Sequence, residues 1–139
     1  MREQLISFET AYLAKKKRFD IEQEFYYDEN NKKYLLKDLY LDNIQRSKPL
    51  NYYNAPTQSL LQKWIREKHN INIMISDFID SETGIEWDYE IVEIGIDIDE
   101  NGHYTPLIAY STDDPNRKFK TYEKALEIGL LKSLELIKI

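Results

Sequence analysis

The segment Ile71–Tyr110, INIMISDFIDSETGIEWDYEIVEIGIDIDENGHYTPLIAY, decides the fold. Ile71, Ile73 and Ile75 alternate with Asn72, Met74 and Ser76, the period of a strand with one buried face. Glu86 to Ile91 alternates acid and apolar, which points Trp87, Tyr89 and Ile91 inward and Glu86, Asp88 and Glu90 toward water. From Ile94 the parity reverses, so that Ile94, Ile96 and Ile98 become the inner set with Asp97 and Asp99 outside. A period-two strand changes parity only by taking up an extra residue, and a β-bulge is expected near Val92–Glu93. Asp99-Glu100-Asn101-Gly102 has the chemistry of a hairpin turn, and Tyr104–Tyr110 is the return strand. Pro106 has no N–H for a ladder, so that strand belongs at a sheet edge or a bulge.

Helical periods flank this segment. Thr57, or Ser59 with Gln62 completing a capping box, opens a helix that Asn70 ends in left-handed conformation. Its apolar stripe is Leu60, Leu61, Trp64 and Ile65, with Gln62, Lys63, Arg66 and Glu67 outward. A last helix opens at Thr121 or the residue before it. It buries Tyr122, Ala125, Leu126, Gly129, Leu130, Ser133, Leu134 and Ile137, the small Gly129 and Ser133 allowing a close approach to the sheet. Six of these side chains, Leu60, Leu61, Trp64, Leu126, Leu130 and Leu134, are the expected core against the Ile-rich strands. At roughly 1.5–3 kcal/mol per fully buried large apolar side chain they outweigh any surface ion pair.

Toward the N-terminus, Ser7 caps a helix expected over Phe8–Arg18, with Phe8, Ala11 and Tyr12 on one face and Lys15, Lys16, Lys17 and Arg18 suiting its carbonyl end. Glu24-Phe25-Tyr26-Tyr27 and Lys33-Tyr34-Leu35-Leu36 flank a polar Asn-containing turn and read as a hairpin. Residues 42–56, with two prolines and no period, read as a linker or irregular loop. The whole is an α+β protein: residues 1–55 give an N-terminal helix, aromatic hairpin and linker, and residues 56–139 a helix, a three-stranded antiparallel sheet and a helix, packed as one domain.

The chain has 139 residues and no cysteine, which removes disulfides, thiolate metal sites and thiol catalysis. No run of apolar residues is long enough for a membrane span and MREQLISFET lacks a signal core, so a cytoplasmic protein without membrane contact is expected. The net charge of −6 hides a division. Residues 1–55 carry 10 bases and 9 acids, residues 56–139 carry 9 bases and 16 acids, and Asp77 to Glu100 holds ten acids without a Lys or Arg. Such a surface repels phosphate and disfavours general nucleic-acid binding.

Motifs for chemistry are sparse. Asp97-x-Asp99-x-Asn101-Gly102 matches the first half of an EF-hand loop, but its twelfth position is Ile108 where the bidentate Glu belongs, so a plain hairpin turn is expected. His69 and His103 stand without a triad partner set by any motif, and no Gly-rich phosphate loop exists. No catalytic residue, metal ligand or cofactor is assigned. Lys15–Arg18 is a dense basic run; Arg117, Lys118, Lys120 and Lys124 form a looser one. Among 11 tyrosines, Tyr26, Tyr27, Tyr34, Tyr52 and Tyr53 form a candidate protein interface, since a Tyr ring buries area while its hydroxyl stays hydrated; packing in a small α+β core is the competing account.

From Thr57 onward the order of elements resembles the double-stranded-RNA-binding fold. Ala55-Pro56-Thr57-Gln58-Ser59-Leu60-Leu61-Gln62 is similar in style to its first helix, and Thr121-Tyr122-Glu123-Lys124-Ala125-Leu126 lies at the start of its second. The resemblance implies RNA contact through Lys63, Arg66, Lys118, Lys120 and Lys124 gathered on one side. The loop Ile79–Gly84, however, is acidic and lacks that family's Pro-His pattern. The chain also resembles a group of small uncharacterised proteins of gut bacteria and their phages or prophages. Ile6–Ala11 with Leu13-Ala14-Lys15, Ala55–Ile73 and Tyr122–Glu127 carry that likeness, which implies a mobile-element origin and no catalytic residue. The leading expectation is a non-catalytic accessory protein that binds a protein partner through an acidic sheet face or a Tyr-rich surface. A nucleic-acid-binding module and an enzyme of unknown class are the alternatives.

Overall fold

Three hydroxyl caps start three helices. Ser7, Thr57 and Thr121 each accept a hydrogen bond from the amide three residues on, opening α1 (Phe8–Lys16), α2 (Gln58–His69) and α3 (Tyr122–Leu136). Asn70, at φ 55°, ends α2 in the left-handed conformation and returns its amide to the Arg66 carbonyl. Helix α1 stops at Lys16, short of the expected Arg18, because Arg18 itself turns left-handed at φ 69° and the Phe19 amide returns to the Ala14 carbonyl. The computed structural model describes residues 3–37, 51–98, 100–110 and 118–138, with the backbone alone for 94–98 and 104–110.

The Ile-rich segment forms β4 (Ile71–Asp80), β5 (Gly84–Ile98) and β6 (Tyr104–Tyr110), an antiparallel sheet in the order β4-β5-β6. Ile79–Gly84 is not a loop as expected: the ladder runs on to the pair Asp80↔Gly84, leaving only Ser81, Glu82 and Thr83 to turn, with Gly84 at φ 88°. The β5–β6 ladder is irregular at two places. Between Ile91 and Val92 the partner shifts from Tyr110 to Ile108, so the extra residue sits on β6 rather than at Val92–Glu93 of β5. Between Ile94 and Ile98 the extra residues lie on β5. Pro106, opposite Ile94, is on an edge strand beside that second shift. Gly102, at φ 79°, turns β5 into β6.

A second sheet has the order β2-β1-β3, from β1 (Phe25–Asp28), β2 (Lys33–Leu35) and β3 (Tyr52–Asn54). The hairpin is as expected, with Tyr26↔Tyr34 in register. The supposed linker is corrected in part: Tyr52–Asn54 is a strand, pairing Tyr27 with Tyr53, while 42–50 lie outside the described residues. The segment before α1 is tied to the start of α2, Ile6 N–H donating to the Pro56 carbonyl and Gln58 N–H to the Gln4 carbonyl.

The core lies between the helices and one face of the larger sheet. Leu61, Trp64 and Ile65 of α2 and Leu126, Leu130 and Leu134 of α3 are buried against Ile71, Ile73, Tyr89 and Ile91, with Ile6, Ala11, Ala14 and Phe19 from the N-terminal part. Leu60 is the exception among the six expected core residues, 36% exposed on the outer side of α2. Gly129 sets the spacing of α3 to the sheet: a Cβ built there would stand 2.9 Å from Ile73 Cγ2 and 3.5 Å from Tyr89 Cβ.

One polar cluster interrupts this apolar layer. Glu127 of α3 accepts from the Ser7 amide and hydroxyl at 3.1 Å each, from the Thr10 hydroxyl, and from Gln58 Nε2 at 3.0 Å. Gln58 Nε2 also donates to the Glu123 carbonyl at 2.8 Å. The starts of all three helices therefore meet, and Lys17 Nζ donating to the Ile137 carbonyl at 2.6 Å shows that the ends of α1 and α3 meet too. The three helices run parallel. No described helix is long and apolar enough to cross a membrane.

Replacing Gly129 by Ala is expected to destabilise the fold although Ala is the better helix former by about 1 kcal/mol, because overpacking against a buried β-branched methyl costs about 1–3 kcal/mol. Leu at 129 should cost more, and a urea midpoint unchanged in both variants would contradict this packing. Glu127→Ala leaves the buried Thr10 hydroxyl and Gln58 amide short of partners, at about 1–3 kcal/mol each. A loss of roughly 2–4 kcal/mol in chemical denaturation is expected for it.

Candidate functional site

The two faces of the larger sheet differ. The register puts Ile73, Ile75, Asp77 and Ile79 of β4 on one face with Ile85, Trp87, Tyr89 and Ile91 of β5, the face that α3 covers. Met74, Ser76, Phe78 and Asp80 share the other with Glu86, Asp88 and Glu90. Helix α3 begins at Tyr122, whose ring meets Trp87 edge-on at 5.6 Å. Beyond Trp87 helix α3 leaves this face of the β4–β5 hairpin uncovered for about 10 Å, at roughly 3.3 Å per residue. The cross-strand pair Ile79↔Ile85 stands on this uncovered stretch, 85% and 59% exposed, with Phe78 on the opposite face 37% exposed.

Acids surround these apolar groups. Asp77 and Glu82 are exposed, Asp88 and Glu90 half-buried, and Glu93 exposed farther along β5. On the outer face two carboxylates are already engaged. After β6 the chain returns to β5, Trp87 and Phe119 exchanging amide–carbonyl bonds of 2.8 and 3.0 Å. This pairing lays Lys118 on Asp80 at 2.8 Å and Lys120 on Glu86 at 2.9 Å. Lys118 Nζ also stands 5.7 Å from the Phe78 ring centre. Glu86, expected to face water, is on the outer face but only 3% exposed, because Lys120 lies across it. The nearby Thr83 hydroxyl and the Lys120 ammonium hold the Glu86 carboxyl below its ordinary 4.5. Lys118 and the amides of Glu82 and Thr83 hold Asp80 far below its ordinary 3.8, and Asp80 in turn raises Lys118.

The candidate RNA-contact residues are not brought together. Lys118 and Lys120 lie on the outer sheet face, bound to carboxylates. Lys63 and Arg66 are on α2, which packs on the other side of the sheet, Lys63 standing 3.9 Å from Glu67. Lys124 is exposed in the first turn of α3.

The candidate interface tyrosines divide between the faces of the smaller sheet. Tyr26, Tyr34 and Tyr52 cluster, Tyr26 stacking on Tyr34 at 5.4 Å and meeting Tyr52 edge-on at 6.1 Å. Tyr27 and Tyr53 pack edge-on against Phe8 of α1 at 5.9 and 5.5 Å. Tyr26 is buried and the other four are half-buried. The Tyr27 hydroxyl donates to the Ile6 carbonyl at 2.7 Å, and burial, then the charge of Glu127, pushes its pKa above 10.0.

Metal-ligand clusters do not assemble among the described residues. No group of three His, Asp or Glu stands ready for a metal there, and Asp97 and Asp99 of the half EF-hand pattern fall outside the described side chains. A cleft of about 740 Å³ between the N-terminal segment and β1 holds Glu3, Glu24 and Lys33 without a histidine. The chain matches no family model, no curated protein and no solved structure.

The signs of these pKa shifts set an acid dependence. Carboxyls held low in the folded state contribute stability that is complete above their ordinary 4.5 and 3.8 and is lost as the pH falls through and below those values. The variant Lys118→Met/Lys120→Met should be less stable than the parent at pH 7, and the gap in melting temperature should close steadily toward pH 2. A gap independent of pH would show that the two lysines act only by packing.

Proposed function

We propose that the chain is a non-catalytic accessory protein of the phage or prophage type that binds a protein partner through the β4–β5 ribbon. The observation that carries this reading is the exposed pair Ile79–Ile85, held on a regular ladder beyond the reach of α3. An apolar centre inside a charged rim is the anatomy of a protein interface. Its acids set the partner's chemistry. Among the described residues no cation pairs with Asp77, Glu90 or Glu93, so the complementary surface is basic around an apolar centre. Among the described strands β4 is also at the edge of its sheet, and Asp77 and Asp80 on it oppose pairing between copies of the chain while admitting a Lys- or Arg-bearing strand. Duplex RNA is the less favoured ligand, because Lys118 and Lys120 are held by Asp80 and Glu86 on a different side from Lys63 and Arg66.

The test is capture by the tagged full-length chain and by Ile79→Asp/Ile85→Asp, from the same lysate, with protein and nucleic acid both quantified. Each isoleucine buried in an interface is worth up to about 1.5–3 kcal/mol, so the captured protein should fall by more than about tenfold in the variant and with rising salt. Equal capture by both chains, or recovery of nucleic acid in place of protein, would remove the reading. Both positions are exposed, so the variant should melt like the parent.

A further inference from the structure

The parallel helices gather their carbonyl ends at the side of the molecule opposite the ribbon tip, and cations collect there. A cleft of about 530 Å³ is lined by Lys17 and Arg18 after α1, Lys68 and His69 of α2, and Lys138 after α3, with Trp64 and Asp20. Trp64 is nearly buried and meets the His69 ring at 4.9 Å, giving the cleft a rigid aromatic floor. The backbone of Arg18 is set by the left-handed turn that ends α1, and its exposed side chain lines the cleft. The cations come from three separate elements, and tertiary packing alone brings them together.

Neutralising helix dipoles does not account for them all. A helix end carries about half a negative charge, and three ends with Asp20 amount to roughly two and a half. Lys17, Arg18, Lys68 and Lys138 bring four full positive charges, before any proton on His69. Lys17 serves the Ile137 carbonyl. Among the described residues no carboxylate pairs with Arg18, Lys68 or Lys138. In a chain of net charge −6, this is an unspent local surplus of positive charge with a concave shape.

We propose that this cleft binds a small phosphate ester, its phosphate held by Arg18, Lys68 and Lys138. Arg offers a forked donor pair to phosphate oxygens and the lysines add mobile point charges. The volume lies within the range of small-molecule sites. The positive region is bounded by the helix ends, and the acids of β4 and β5 lie beyond it, so a phosphorylated small molecule fits better than a long polyanion.

The test is an amide chemical-shift titration of the full-length chain at low salt with inorganic phosphate, adenosine 5′-monophosphate, adenosine and a duplex oligonucleotide. Saturable shifts confined to Lys17–Asp20, Lys68–Asn70 and Lys138, given by phosphate and the monophosphate and not by adenosine, are expected. Lys68→Glu/Lys138→Glu should weaken binding at least about tenfold, and Lys63→Glu should leave it unchanged. Shifts spread evenly over Lys32, Lys63 and Lys118, no saturation, or binding of the duplex without the monophosphate would each overturn the proposal. Because the substituted lysines are exposed, a thermal melt confirms that any loss is not unfolding.

Discussion

The carboxylate of Glu127 is the point on which the arrangement turns. It is shared by the first turns of α1 and α2 while belonging to the second turn of α3. Acceptors at a helix N-terminus meet unpaired amides and the positive end of the dipole, so a carboxylate from a neighbouring helix fits there with charge-assisted bonds. The arrangement requires the helices to start together and therefore to run parallel. Thr10 and Gln58 are buried and both serve this carboxylate; without it each would keep one partner, the Ser7 hydroxyl and the Glu123 carbonyl, and lose its charge-assisted bond. The smaller sheet is carried along in turn: α1 is fixed at its start, and Phe8 and Tyr12 on it hold Tyr27 and Tyr53.

Parallel alignment has an electrostatic consequence. Three dipoles that would oppose one another in an up-and-down bundle here add. The acids Glu3, Glu123 and Glu127 lie about the helix starts and Lys17, Arg18, Lys68 and Lys138 about the ends. The run Lys15–Arg18 is therefore not a uniform solvated face. Lys15 donates to the Tyr52 carbonyl and stands 4.8 Å from the Tyr53 ring centre, Lys16 lies 4.5 Å from that of Tyr12, and only Lys17 and Arg18 reach the cleft.

Much of this fold is legible in the sequence because its signals are local. Hydroxyl caps, the left-handed Asn70, the Asn-Gly turn and the two-residue alternation of isoleucines each depend on a few neighbouring residues. The misreadings share the opposite cause. Tyr52–Asn54 is too short to show a period and is a strand only because β1 lies beside it. Glu86 alternates as an outward acid, and it is outward, but a lysine 34 positions later covers it. Leu60 falls on the stripe of α2, yet among the described residues nothing buries that side of the stripe. An irregularity near Ile91 is expected from the sequence, but the extra residue lies on β6, where it leaves the alternation of β5 itself unchanged.

The surface available for recognition was the least legible part, for the same reason. Ile79 falls in the segment read as a loop and Ile85 just ahead of the alternating run, yet both stand on the ladder; what leaves them exposed is the position at which α3 begins, some forty residues away in the chain. The tyrosines stand out by composition and are held among themselves. The two charged regions that remain are separated by the length of β4, ten residues or about 33 Å, against a screening length of about 8 Å at physiological salt. At that separation neither field reaches the other, and the net charge of the chain describes neither. One region presents an acidic, partly apolar ribbon and the other a basic cleft, so the two surfaces carry opposite chemistries that do not interfere.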